Sequence, residues 1–225
     1  MTKTNKTKSA NKPETVLVLR TCDKDLKAHS DFQWPASGPV SCADWDPYPR
    51  CGAGLHGLLF GLGNGGLLSY DETSKWLVVE VLASEIVILD GGDKVKFPRG
   101  IVVFCGDRKG ATEYVNERKP GAIAGLTTTA GNSGTATAGN SGTATAGYAG
   151  TATAGDSGTA TAGYAGTATA GYAGTATAGE AGILVLRWYD GKRYRIQTFY
   201  VGEDGIEPNT AYRLSETGSI VKVGS

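Results

Sequence analysis

The sequence predicts a mainly β protein: a short β-solenoid of 16-residue coils, each made of two TATAGxxG units, capped by a small α+β head and a β-hairpin tail. Three observations carry this. Residues 127–182 repeat every eight residues with no insertion or deletion. Within each unit Thr and Ala alternate with period two, as a strand with two unlike faces must. The segment also differs in composition from its surroundings. It holds only two charged residues, Asp156 and Glu180, in a 225-residue chain with 22 basic and 22 acidic ones.

Taken in chain order, residues 1–13 carry Lys3, Lys6, Lys8 and Lys12 and no apolar stretch. They read as a disordered basic arm, not a secretory signal. No apolar run is long enough for a transmembrane helix. The balanced net charge argues against general affinity for nucleic acid or anionic membrane. The expected location is therefore the cytoplasm of the producing cell or a virion.

Residues 14–120 read as the α+β head. Strands are expected at Thr15–Arg20, Trp76–Leu82, Glu85–Leu89 and Ile101–Cys105, which are β-branched and apolar. Residues 107–117 suit a short helix, and Leu55–Leu68 a buried loop with a short helix. Four cysteines occur without a Cys-x-x-Cys pair, so no metal or cofactor is expected. Cys51 and His56 lie five apart among glycines and, with Arg20 and Glu80, form a candidate head ligand site.

Residues 121–182 form the solenoid, with Gly121–Leu126 as a decayed first copy. A single unit cannot close a coil, but two strands and two turns can, so each coil takes a pair of units. The seven strands make three and a half coils. The Gly-x-x-Gly turns are expected to place their glycines at positive φ. Burying threonine would strand hydroxyls in a dry interior, whereas burying alanine costs nothing polar. Ala136, Ala138 and their equivalents therefore point inward. The outward face comprises Thr135, Thr137, Thr143, Thr145, Thr151, Thr153, Thr159, Thr161, Thr167, Thr169, Thr175 and Thr177. Tyr148 and Tyr164, one full coil apart, stack on one edge, with Asn140, Asp156 and Tyr172 on the other. Tyr148, Tyr164 and Tyr172 are the candidate self-association residues, since tyrosine is enriched in interfaces.

Residues 183–225 form the tail. Ile183–Tyr189 and Arg193–Val201 flank the hairpin signal Asp190-Gly191, and a last strand follows at Ile220–Val223. The head and tail sheets are expected to continue the solenoid's ladder at its two ends. The Arg/Lys/Tyr interleaving around Trp188 reads as a solvated hairpin face, not a nucleic-acid surface.

Two resemblances bear on function. The Thr-x-Thr-Ala-Gly-Tyr pattern of the repeat resembles bacterial ice-nucleation proteins, and rows of Thr-x-Thr resemble antifreeze proteins. The overall layout resembles an uncharacterised bacteriophage family with an α+β head, a Gly/Ala/Thr-rich β-solenoid and a β-rich tail. That likeness rests on Arg50-Cys51-Gly52-Ala53-Gly54-Leu55-His56-Gly57 and on Ile206-Glu207-Pro208-Asn209-Thr210-Ala211-Tyr212-Arg213-Leu214. The family often has a second cysteine where this chain has Leu58. The leading expectation is a non-catalytic structural or interaction protein of phage type, docking to itself or to another protein. Two alternatives stay open. One is ice binding through the threonine grid. The other is a small-ligand-binding or ADP-ribosyltransferase-like head, the latter echoed by Arg20, the Gly-Leu-His-Gly stretch and Glu80.

Overall fold

A computed structural model describes residues 13–28 and 32–224. The expectation for residues 1–12 lies outside the described residues.

The head is a seven-stranded antiparallel sheet. Its strands are β1 (Thr15–Cys22), β2 (Gly38–Ser41), β3 (Leu55–Leu59), β4 (Lys75–Leu82), β5 (Val87–Leu89), β6 (Lys94–Phe97) and β7 (Arg99–Gly106), in the order β2-β7-β4-β1-β3-β6-β5. One face packs Leu17, Leu19, Trp76 and Val78 against helix α1 (Arg108–Arg118) and against Ile123, Ala124 and Leu126. The helix starts where the Asp107 side chain accepts from Gly110 N at 2.8 Å, a capping bond that satisfies an otherwise orphaned donor. The other face packs Val18, Cys22, Leu77 and Val79 with Trp34 and Phe97. Leu55–Leu68 holds the expected short helix, a single 3-10 turn at Gly65–Leu67, but its first part is not a loop. It begins as strand β3, because Gly57 lets β3 lie close on β1: a Cβ there would sit 2.5 Å from Val18 Cγ1.

The solenoid strands are β8 (Thr127–Ala130), β9 (Thr135–Ala138), β10 (Thr143–Ala146), β11 (Thr151–Ala154), β12 (Thr159–Ala162), β13 (Thr167–Tyr172) and β14 (Thr175–Ala178). Each strand pairs in parallel, in register, with its equivalent one coil away, as in Thr143↔Thr159 and Thr151↔Thr167. Two sheets result, one through β8-β10-β12-β14 and one through β9-β11-β13. Strand β15 (Ile183–Tyr189) continues the second sheet in the same register, Ile183 facing Thr167. This completes a fourth coil where the sequence pattern gave three and a half. Leu184 and Leu186 there replace the inner alanines and are fully buried with Ile206, Tyr212 and Leu214. The coil interior is thus methyl-lined until a plug of large side chains closes it.

Strand β16 (Tyr194–Tyr200) pairs antiparallel with β15, and β17 (Tyr212–Leu214) with β14 and with β18 (Ile220–Lys222). The tail therefore extends both ladders. The β15–β16 turn is held by Asp190, which accepts from Lys192 N and Arg193 N at 2.8 Å and pairs with Arg195; these contacts hold its pKa down at about 2.

The head does not extend the ladder. The residues 16 positions before β8 in the chain belong to helix α1, which packs on the head sheet, and β8 ends its own sheet. Contact runs instead through the decayed copy: Gly139 N donates to Ile123 O at 3.0 Å and Thr143 N to Leu126 O at 2.9 Å.

The turn geometry also differs from expectation. Positive φ falls on the second variable residue of each turn, from Ser133 to Ala181, near 50–55°, and not on the glycines. The glycines answer a different constraint. A Cβ on Gly163 would lie 2.9–3.0 Å from backbone atoms of Gly147 and Tyr148 in the preceding coil. Gly163→Ala is therefore expected to destabilise the protein by about 1–3 kcal/mol through overpacking. Ala165→Gly relieves left-handed strain of roughly 1–2 kcal/mol against a smaller unfolded-state entropy cost, for a net gain of about 0.5 kcal/mol. Urea denaturation of the two variants measures both; equal effects would contradict this division of roles.

Candidate functional site

The threonine surface follows from strand alternation. Along β9 to β14 the two alanines of each strand point inward, and those from Ala136 to Ala178 are at most 3% exposed. In β8 the first inner position is instead Thr128, in register with Ala144, so the expected alanine-only interior fails in the first coil, where the repeat reads Thr-Thr-Thr-Ala. The two threonines point outward and are exposed or half-buried. Among the described residues, no solenoid threonine hydroxyl hydrogen-bonds to another protein group, so those on the outward faces are left to solvent. The β8-β10-β12-β14 sheet presents four rungs: Thr127/Thr129, Thr143/Thr145, Thr159/Thr161 and Thr175/Thr177. Thr spacing is about 6.6–6.8 Å along a strand and about 4.8 Å between coils. The opposite sheet presents Thr135/Thr137, Thr151/Thr153 and Thr167/Thr169, then Ile183 and Val185.

The turns form two edges. On one, the Tyr148 and Tyr164 rings stack with centroids 5.4 Å apart and 4° between planes. On the other, Asn140 Oδ1 accepts from Asp156 N at 3.0 Å and Asp156 Oδ1 from Tyr172 N at 2.8 Å. Arg187 pairs with Asp156 at 3.4 Å and lies 4.1 Å from the Tyr194 ring, which also meets Tyr172. Tyr172 thus sits across the solenoid from Tyr148 and Tyr164, because successive turns alternate sides. The three tyrosines do not make one self-association edge.

In the head, Arg20, Cys51 and His56 line a single cavity of about 860 Å³ with Phe32, Trp34 and Lys94. Arg20 Nη1 donates to His56 O at 3.1 Å, and its guanidinium lies 3.9 Å from the Trp34 ring centroid. Glu80 does not join them. It faces Leu17 across β1–β4, whereas Arg20 faces Leu77, an odd offset that puts Glu80 on the opposite face of the sheet. It accepts from Thr15 Oγ1 there at 2.7 Å. The Arg20–His56–Glu80 grouping is therefore corrected, and with it the echo of ADP-ribosyltransferases. The contact of the Cys51 sulfur is Lys94 and not His56: it accepts from Lys94 Nζ at 3.3 Å, a contact that, with Asp90, raises the Lys94 pKa. Among the described residues no group of three or more His, Cys, Asp or Glu could hold a metal ion.

Trp34 and Lys94 were missed by sequence reasoning. Trp34 lies in an irregular segment with no periodic signal, and Lys94 opens a strand. Arg20 Nε, Trp34 Nε1 and His56 Nε2 are all buried without a hydrogen-bond partner. Each such group costs about 1–3 kcal/mol when unsatisfied. Burial, together with the nearby Lys94, Arg20 and Lys96 cations, pulls the His56 pKa below its ordinary 6.5, against an opposing contact with the Gly54 backbone.

A family model described as a domain of unknown function, DUF7666, matches residues 16–115, from β1 through most of α1. An ice nucleation protein of Pseudomonas fluorescens is 40% identical over 106 residues, which is 47% of this chain and 9% of the relative. One from Xanthomonas campestris pv. translucens is 39% identical over 107 residues, 48% of this chain and 7% of the relative. Ice nucleation protein InaU of Pantoea ananas is 33% identical over 120 residues, 53% and 12% respectively. The chain thus spans about a tenth of the length of these curated relatives. No solved structure matches it. The repeat is similar to those of ice nucleation proteins.

The lowered His56 pKa has a pH consequence. Below about pH 6.5 the unfolded chain protonates His56 while the folded chain resists, so stability is full above that value and falls as pH drops below it. Urea midpoints measured between about pH 7.5 and about pH 5.5 should fall further in the wild type than in His56→Gln. Identical declines would contradict this burial of the neutral imidazole.

Proposed function

We propose that this protein binds ice, adsorbing through the β8-β10-β12-β14 face. The observation that carries this reading is the grid of eight outward threonines, Thr127 to Thr177, held flat by the in-register ladder and with hydroxyls bonded to no protein group. A rigid lattice of alternating methyl and hydroxyl groups can order water in two dimensions. A flexible or charged surface cannot. The ice nucleation proteins among the relatives support the same reading, and they favour it over docking of phage type as the principal role. The opposite face is the weaker candidate, because its grid ends after three rungs at Ile183 and Val185.

Four rungs span only about 15 Å, at about 4.8 Å per coil. A single chain this short offers little area for a crystal embryo, so adsorption to existing ice is the activity proposed. The head and tail would serve as caps, with residues 14–120 and 183–225 closing a solenoid whose bare ends would otherwise invite strand addition. A second reading, self-association, is favoured by the exposed stacked pair Tyr148 and Tyr164. It predicts a dimer by light scattering that Tyr148→Ser with Tyr164→Ser dissociates.

The ice reading predicts inhibition of ice recrystallisation at micromolar protein. Thr145→Lys combined with Thr161→Lys, on the central strands of the proposed face, should abolish it with the circular dichroism spectrum unchanged. A single surface change of this kind costs about 0.5 kcal/mol or less, and the two lysines, in register one coil apart, add a like-charge repulsion to it. Thr153→Lys on the other face should retain activity. No inhibition by the wild type, or full inhibition by the double variant, would overturn the proposal.

A further inference from the structure

We propose that the head cavity beside Trp34 binds a small organic anion, its carboxylate or phosphate held by Arg20 and His56 and its apolar body against Phe32, Leu67 and Leu68.

The case begins with an unbalanced charge. The Arg20 guanidinium is largely enclosed, and it donates to neutral carbonyls, of His56 at 3.1 Å and Thr21 at 3.3 Å, with the Cys22 thiol beside it. Among the described residues no carboxylate pairs with it. Other charges on the wall are already engaged: Lys94 pairs with Asp90 at 3.2 Å, and Asp44 accepts from Gly54 N at 3.2 Å. Among the described residues, Arg20 is the wall cation without a carboxylate counterpart. Buried cations are ordinarily paired, because desolvation without an opposite charge is expensive.

The second observation is convergence. Five side-chain nitrogens in the described structure are buried without partners, and three of them, on Arg20, Trp34 and His56, belong to residues lining this one cavity. Arg20 Nε and the Trp34 indole N–H can only donate, and His56 Nε2 becomes a third donor once the imidazole is protonated, as an adjacent anion favours. Three donors with no acceptor describe the complement of an anionic oxygen group. The remaining wall is mainly apolar, and about 860 Å³ suits a molecule of cofactor or metabolite size. An inorganic ion would leave most of that space unfilled. The site lies in the head, apart from the threonine faces, and stands or falls independently of the ice reading.

The test titrates the full chain with AMP, 1-naphthoate and inorganic phosphate while following the tryptophan indole N–H resonances. With AMP, 1-naphthoate or both, the Trp34 resonance should shift saturably, while that of Trp188, equally unpartnered but in the tail, stays in place. A response to AMP alone assigns a phosphate ligand, and one to 1-naphthoate alone a carboxylate. Inorganic phosphate should bind more weakly than the responding organic anion. Arg20→Gln should weaken binding roughly tenfold or more. Should that variant not fold, Leu67→Ala, at an exposed wall position, should weaken the organic anion and leave inorganic phosphate unaffected. No Trp34 shift with either organic anion at millimolar concentration would overturn the proposal. So would affinity unchanged in the folded variants.

Discussion

The close approach of successive coils is the constraint on which the rest of this molecule depends. Its interior is lined by alanine methyls, each worth only about 0.8 kcal/mol of burial. Cohesion must therefore come largely from the backbone ladder, at about 0.5–1.5 kcal/mol net per hydrogen bond. That ladder runs through the strands and also around the turns: Ser141 N donates to Asp156 O and Ala149 N to Tyr164 O, each at 2.8 Å. Turns can stack this tightly only where side chains are missing, which is why glycine flanks every one. The second turn residue then accepts a left-handed conformation even as serine or alanine. Strain is tolerated where a methyl points to solvent, and a Cβ is excluded where it would point at the neighbouring coil.

The flat faces are a consequence of the same constraint. Strict coil-to-coil register puts each threonine over its equivalent, as in Thr145 over Thr161. The ends are handled differently. At the tail, Leu184 and Leu186 fill the widening interior and antiparallel strands cover both ladders. At the head, residues 122–126 lie on the first turns and carry Ile123 and Leu126 into the core of the other sheet. The repeat is thereby anchored to a conventional packed core, which supplies the stability that alanine cannot.

The solenoid was legible because its signal is local. Period eight, Thr/Ala alternation and paired glycines lie within a few residues of one another. The turn conformation was not legible, because the reason for each glycine is the backbone of the adjacent coil, two repeat units away in the chain. In the head, β1, β4 and β7 announced themselves by β-branched runs. Strand β6 did not: Lys-Val-Lys-Phe reads as half exposed, yet Lys96 is fully buried with Nζ donating to Arg50 O at 3.0 Å. The cavity was half legible. Arg20, Cys51 and His56 do converge, but the face of Glu80 depends on a strand register that one sequence does not reveal. Trp34 reaches the site from a loop whose path is set by tertiary packing alone.

The orientation of the repeat can be read directly from a methyl NOE spectrum of alanine- and threonine-labelled protein. Cross-peaks should link inner alanines of one sheet to those of the other, Ala152 to Ala160 for example, and the methyls of all solenoid threonines except the inward Thr128 should contact only neighbours on their own face. Threonine-to-threonine cross-peaks between the two sheets would place the hydroxyls inside and contradict the account at its foundation.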